Sequence, residues 1–190
     1  LALHSLTGYR DMENFGQADS DGSPLNLIYT RDLQENESFS QEFRMIGTAM
    51  DDRLDYSAGL FYMEEDGDVF NETRINGGPG TNIAEYTNEA WAAYGQLTYA
   101  FTEKFNITFG LRYTDEDREM DKAIVNGVVF DPIPFLDDIR ATYAGNPCVP
   151  GTGGALNCAN TVFPRAHDTF SKISPMISFG YNWTEDIMTY

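Results

Sequence analysis

The sequence predicts an all-β fold, an antiparallel up-and-down segment of a transmembrane β-barrel with about seven strands. Three observations predict it. Apolar residues recur at every second position in runs near the roughly 9–11 residues that a tilted strand needs to cross a bilayer. Short and long connections alternate along the chain. Aromatic residues collect at the two ends of the apolar stripes.

Reading for period two places strands at 2–10, 36–48, 54–65, 89–101, 105–119, 167–183 and 187–190. The second, in "SFSQEFRMIGT", sets Phe39, Gln41, Phe43 and Met45 on one face and Ser38, Ser40, Glu42 and Arg44 on the other. The third aligns Leu54, Tyr56, Ala58, Leu60 and Tyr62, with Phe61 and Met63 weakening the pattern on the opposite face. The fourth and fifth read "YGQLTYAFTEKFNITFGLRYT" and form a hairpin around Thr102 to Lys104. With Phe101 facing Phe105, the register pairs Tyr99 with Ile107, Leu97 with Phe109 and Ala93 with Tyr113. The other face pairs Thr98 with Thr108, Gln96 with Gly110 and Tyr94 with Arg112.

The expected lipid-facing set is therefore Trp91, Leu97, Tyr99, Phe101, Phe105, Ile107, Phe109, Leu111 and Tyr113. In the sixth strand, "FSKISPMISFGYNW", Ile173, Ile177, Phe179, Tyr181 and Trp183 continue it. Pro175 lacks a ladder donor, so a bulge or a strand edge is expected there. The expected lumen-facing set is Glu42, Arg44, Tyr94, Gln96, Thr98, Thr108, Arg112 and Lys172.

Connections near 49–53, 102–104 and 184–186 are short, whereas 11–35, 66–88 and 120–166 are long, acidic and rich in Gly, Asn and Pro. An up-and-down outer-membrane barrel has short periplasmic turns and longer external loops, whereas a Greek-key sandwich has no reason to alternate. One short helix is expected within the last loop, over Pro134 to Gly145. Cys148 and Cys158 lie in the same loop, in "PCVPGTGGALNC". A local disulfide formed outside the cytosol is the reading preferred over two unrelated thiols.

Composition excludes several classes. No apolar run reaches the ~18 residues of a spanning helix. A formal charge of −18, from 30 acidic and 12 basic residues, makes nucleic acid a poor partner. An aromatic content of 14% argues against acidic disorder. "ADSDGSPL" offers Asp19, Asp21 and Gly22 toward a calcium loop, but Thr30 occupies the position that needs a bidentate Glu, so a solvated turn is expected. Glu64, Glu65, Asp66 and Asp68 read as solubilising residues at a strand end. His4 and His167 have no metal or nucleophile partner at recognisable spacing. No hydrolase, kinase or dinucleotide motif is present; no enzyme, cofactor or metal is expected.

Five segments taken in order resemble a known family: "SLTGYRD", "SFSQEFRM", "AGLFYMEE", "AAYGQLTYAFTEKFNITFGLRYTDEDRE" and "KISPMISFGYNWTEDIMTY". They look like the barrel of TonB-dependent outer-membrane receptors. The resemblance implies about a third of a barrel of roughly 22 strands, in the outer membrane of a Gram-negative bacterium. It implies outer-membrane lipid, the TonB complex and a small-molecule cargo such as a ferric siderophore as partners. The plug domain and the TonB-contacting box belong to other parts of such a receptor, and the chain reads as cut from something longer. A soluble extracellular β-sandwich binding carbohydrate or protein through its loops is the alternative.

Overall fold

A computed structural model describes residues 1–24, 27–76, 78–128, 142, 149–150, 156–157, 161–183 and 187–189. Its strands are β1 (Ala2–Asp19), β2 (Ile28–Ala49), β3 (Leu54–Ile75), β4 (Gly78–Ala100), β5 (Phe105–Asn126), β6 (Val149–Pro150), β7 (Leu156–Asn157), β8 (Thr161–Val162), β9 (Ala166–Asn182) and β10 (Met188–Thr189). The main sheet runs β1-β2-β3-β4-β5-β9-β10, every neighbour antiparallel, with β8 beside β5 at Ala123 and Ile124. β6 and β7 form a separate two-stranded ribbon. The sheet does not close on itself. Among the described residues no second sheet packs on it, so the sandwich alternative is not what forms.

All seven expected strands occur in order, but most are far longer than period-two reading placed them. β2, β3 and β5 have 22 residues each and β4 has 23. At about 3.3 Å per residue such a strand is roughly 70 Å long, well beyond a bilayer core of about 30 Å. The segments 11–35 and 66–88 are therefore mostly strand, leaving connections of only 20–27 and 76–77. The strict alternation of connection length fails at 76–77, which is shorter than the turn after β2. What differs between the two ends of the sheet is strand overhang. The overhang escapes a hydrophobic pattern because most of its residues are polar and its apolar ones, such as Phe70 and Ile83, are isolated among them.

The turns have local causes. Between β2 and β3, Met50, Asp51 and Asp52 take φ of 57°, 56° and 61°, a left-handed run eased by the two aspartates. Thr48 donates to the Asp52 carboxylate at 3.1 Å. Between β4 and β5, the Thr102 hydroxyl accepts the Lys104 and Phe105 amides at 3.2 and 3.0 Å. After β1, Asp21 ties the loop: Oδ1 accepts the Ser23 amide, and Oδ2 those of Leu27 and Ile28, each at 2.8 Å. Hydrogen bonding from the Ser23 side chain, then from these amides, holds its carboxyl well below the usual carboxylate range. The suspected calcium ligand is a backbone-capping aspartate.

Register runs unbroken through every long pair. Leu111 pairs with Pro175, so no bulge forms there. β10 pairs only with Tyr181 and Asn182, so Pro175 does lie on an open strand edge. The helix expected over Pro134 to Gly145 lies, Thr142 apart, outside the described residues. Cys148 and Cys158 also lie outside them.

Candidate functional site

Because no bulge interrupts the ladders, each side of the sheet can be followed from strand to strand. One side, the Leu97 face, joins residues such as Met45, Ala58, Gly95 and Leu111 in a row across four strands. The other, the Glu42 face, joins Glu42, Phe61, Ala92 and Thr114. The predicted hairpin register holds: Leu97 pairs with Phe109, Tyr99 with Ile107, Thr98 with Thr108 and Tyr94 with Arg112.

By this register Trp91, Leu97, Tyr99, Phe105, Ile107, Phe109, Leu111, Tyr113, Phe179 and Tyr181 share the Leu97 face. Phe101 and Trp183 join them through ring contacts. Near the β4–β5 turn, Tyr99 and Phe101 lie 4.8 Å apart, Phe101 and Phe105 5.9 Å, and Tyr181 and Trp183 4.8 Å. At the other end of the apolar stripe, Trp91 and Tyr113 lie 5.0 Å apart. Between these clusters the apolar side chains stand exposed: Leu97 49%, Phe109 53%, Ile177 57%.

The predicted polar set occupies the opposite face. Glu42 accepts from the Tyr94 hydroxyl and from Arg44, whose Nε and Nη2 lie at 3.0 and 2.8 Å. Thr98 and Thr108 hydroxyls meet at 2.9 Å. Arg112 donates to the Thr114 hydroxyl at 3.0 Å. Lys172 lies on this face beside Thr114, without an ion pair among the described residues. A depression of about 590 Å³ opens here, lined by Glu42, Arg44, Phe61, Tyr94, Gln96 and Arg112 among others.

In the overhang the two faces differ in a way sequence reading did not reach. The Leu97 face there carries Asp11, Glu13, Asp19, Glu35, Glu37, Glu64, Asp66, Asp68, Glu72, Glu85, Glu89, Asp115, Asp117, Glu119 and Asp121, against Arg31, Arg74 and Arg165. The Glu42 face carries Arg10, Arg118, Lys122 and Lys172 against Asp32, Glu65, Glu116 and Asp168. Glu64, Glu65, Asp66 and Asp68 are thus mid-strand residues with ladder partners, not the end of a strand.

On the Glu42 face of the overhang, buried Asn36 is a hub. It accepts from Arg10 at 2.8 Å and donates to Glu65 at 2.7 Å and to the Tyr86 hydroxyl at 3.0 Å. Arg118 pairs with Glu116 at 2.5 Å and lies 5.3 Å over the Phe170 ring. A second depression of about 660 Å³ opens beside them, lined by Tyr86, Asn88, Arg118, Met120 and Phe170 of this face and reached by Glu119, Arg165 and His167.

On the Leu97 face, Asp117, Glu119 and His167 come together with ligand-capable atoms within 4.8 Å of one another. Pairing of β5 with β9 creates this group from residues about fifty apart, so spacing along the chain gave no signal for His167. The hydrogen bond to Asp117, at 2.8 Å to the nearer oxygen, raises the His167 pKa above its ordinary value. Arg165 binds Glu119 at 3.1 Å and Asp121 at 2.9 Å. Further out, Phe70, Ile83, Ala123 and Val125 form a buried cluster beside Leu33 and Val162. Next to it, fully buried Glu72 is held by Arg74 at 2.7 Å and Arg31 at 3.7 Å.

Comparison with known proteins finds the family model "TonB dependent receptor-like, beta-barrel" matching residues 2–190. The ferric yersiniabactin uptake receptor FyuA of Yersinia pestis matches in structure with a TM-score of 0.68 at 16% identity, covering 97% of this chain. The chain spans 24% of that receptor's length. The RagAB peptide transporter matches with a TM-score of 0.37 at 12% identity, over 82% of this chain and 16% of its own. No curated protein matches the sequence.

Proposed function

The chain belongs to the TonB-dependent receptors, matching their β-barrel from residue 2 to 190, and we propose that it forms part of the wall of an outer-membrane importer. In this reading the receptor sits in the Gram-negative outer membrane and takes up a scarce small-molecule nutrient. TonB supplies the energy through another part of the protein, and no catalysis is involved. A ferric siderophore is the proposed cargo; the solved neighbour of like fold takes up ferric yersiniabactin.

One observation supports the reading most: an unclosed, bulge-free sheet with an exposed apolar stripe ending in aromatic clusters on one face and a polar, depressed opposite face. The stripe from Trp91 to Tyr99 covers nine residues of β4, whose ends lie roughly 26 Å apart along the strand at about 3.3 Å per step. Tilted, that spans most of the band of about 25 Å, with its aromatic girdles, on transmembrane barrels. Leu97, Ile107, Phe109, Leu111 and Phe179 then meet lipid, with Trp91, Tyr99, Phe101, Phe105, Tyr113, Tyr181 and Trp183 at its interfaces. Glu42, Arg44, Tyr94, Gln96, Thr98, Thr108, Arg112 and Lys172 face the lumen. The Asp117 cluster and the overhang lie outside the cell.

Single cysteines placed in the full-length receptor in whole cells test the assignment of faces. Phe109→Cys is expected to react with a lipid-soluble maleimide and to resist a charged one. Gln96→Cys is expected to do the reverse. Equal labelling of both positions by both reagents refutes the assignment. TonB-dependent uptake is tested by comparing nutrient accumulation in cells with and without TonB.

A further inference from the structure

The partition of charge between the two faces of the overhang bears on the cargo. On the Glu42 face four cations are matched by four carboxylates. Two of those cations are already engaged, Arg10 with Glu65 at 3.3 Å and Arg118 with Glu116. Arg165 and His167, which reach the depression beside Arg118, are held by Glu119, Asp121 and Asp117. An anion arriving at this wall finds no surplus positive charge, and behind the wall lies a face whose carboxylates far outnumber its arginines. The chain as a whole carries −18. Such a field repels anionic ligands and slows their approach.

The remaining polar groups are uncharged. Gln34, Asn82 and Asn88 lie on this face without a side-chain hydrogen bond among the described residues. Each amide offers two donors and an acceptor. The Tyr86 hydroxyl accepts from Asn36, which leaves its own hydrogen to donate. Tyr86 is held flat across β3, since a Cβ on Gly67 would come within 2.3 Å of its ring. Phe170 and Met120, each 48% exposed, add apolar surface beside Tyr86 and Asn88. Neutral donors and acceptors beside an aromatic surface suit a ligand rich in hydroxyl and carbonyl oxygens and bearing no net charge.

Resting on the uptake reading above, we infer that the cargo of this receptor is electrically neutral and oxygen-rich. A neutral ferric tris-hydroxamate and a neutral oligosaccharide share that chemistry; a triply anionic ferric tris-catecholate does not.

The test uses the purified full-length receptor in detergent and calorimetric titration with three probes: a ferric tris-hydroxamate, a linear glucose oligosaccharide and a ferric tris-catecholate. One neutral probe is expected to bind at least about tenfold more tightly than the catecholate, with little change between low and high salt. Which neutral probe binds distinguishes chelate from sugar. Tyr86→Phe, which keeps the ring over Gly67, and Asn88→Ala are each expected to weaken that binding by up to about tenfold, as for a lost neutral hydrogen bond. Heat-modifiable migration on a gel verifies that both variants remain folded. Tighter binding of the catecholate, an affinity falling steeply with salt, unchanged affinity in both variants, or binding of none of the three probes overturns the inference. TonB-dependent uptake of the anionic chelate overturns it while leaving the uptake reading intact. Binding of a neutral probe with no TonB-dependent uptake leaves the inference standing and removes that reading.

Discussion

At the scale of single residues, position along a strand sets the consequence of a substitution less than the face does. Leu97 and Gln96 are neighbours on opposite faces of β4. Leu97→Arg is expected to destabilise the full-length receptor by about 2–4 kcal/mol if it lies near the bilayer midplane. Gln96→Arg is expected to be much milder. Folding titrations into lipid vesicles measure both, and equal losses would refute the faces. Gly67 carries a different constraint. Its missing side chain is the space that the Tyr86 ring fills. Gly67→Ala is expected to push that ring aside, at a cost of about 1–3 kcal/mol for overpacking, and to loosen the hydroxyl from Asn36. A lowered melting temperature that Tyr86→Ala partly restores is the expected signature.

His167 makes a prediction about pH at the same scale. Its hydrogen bond to Asp117 raises its pKa in the folded protein above the unfolded value of about 6.5. The stabilisation is therefore fully present below the unfolded pKa and is lost as pH rises through the raised folded value. Glu119 and Asp168 act in the same direction. In Asp117→Asn the titration of His167, followed by NMR, is expected to move down toward the ordinary value. An unchanged midpoint would show that the contact does not form.

At the scale of elements, hairpins dominate. The Asn76-Gly77 pair between β3 and β4 is a strong hairpin signal, and Asn76 has the positive φ, 50°, that such turns require. That dipeptide was legible in the sequence, and it marks 66–88 as hairpin where Val69, Phe70, Ile75 and Ile83 are too scattered among polar residues to show a period of two. The ribbon of β6 and β7 pairs Val149 with Asn157 and Pro150 with Leu156. Cys148 and Cys158 flank this ribbon in the sequence, within one loop rich in Gly and Pro, and a disulfide between them is proposed on that spacing. Closing so short a loop contributes roughly 2–3 kcal/mol to its order by the chain-entropy estimate. Mass spectrometry of the unreduced peptide spanning both cysteines should show a loss of two hydrogens, and free thiols in protein taken from the outer membrane would refute the bond.

At the scale of the whole molecule, the sheet formed by the described residues leaves β1 unpaired along one edge and most of β9 along the other. Open edges carry unsatisfied backbone groups, which hydrocarbon does not tolerate. The 190-residue chain alone is therefore expected to aggregate or to need detergent, and to transport nothing. A soluble, folded monomer on gel filtration without detergent would contradict the assignment of the Leu97 face to lipid.

The sequence by itself determined the strand order, the turn at 102–104, the register of β4 on β5 and the two faces of the apolar band. Each follows from a period of two read over residues close together in the chain. Only the tertiary structure decided how far the strands run, because backbone pairing continues where the apolar signal stops. It alone brought Asp117 and Glu119 to His167, and Asn36 to Tyr86, since these meet across strands. It alone separated an acidic face from a neutral one, because a charge belongs to a face only after the ladder register is known.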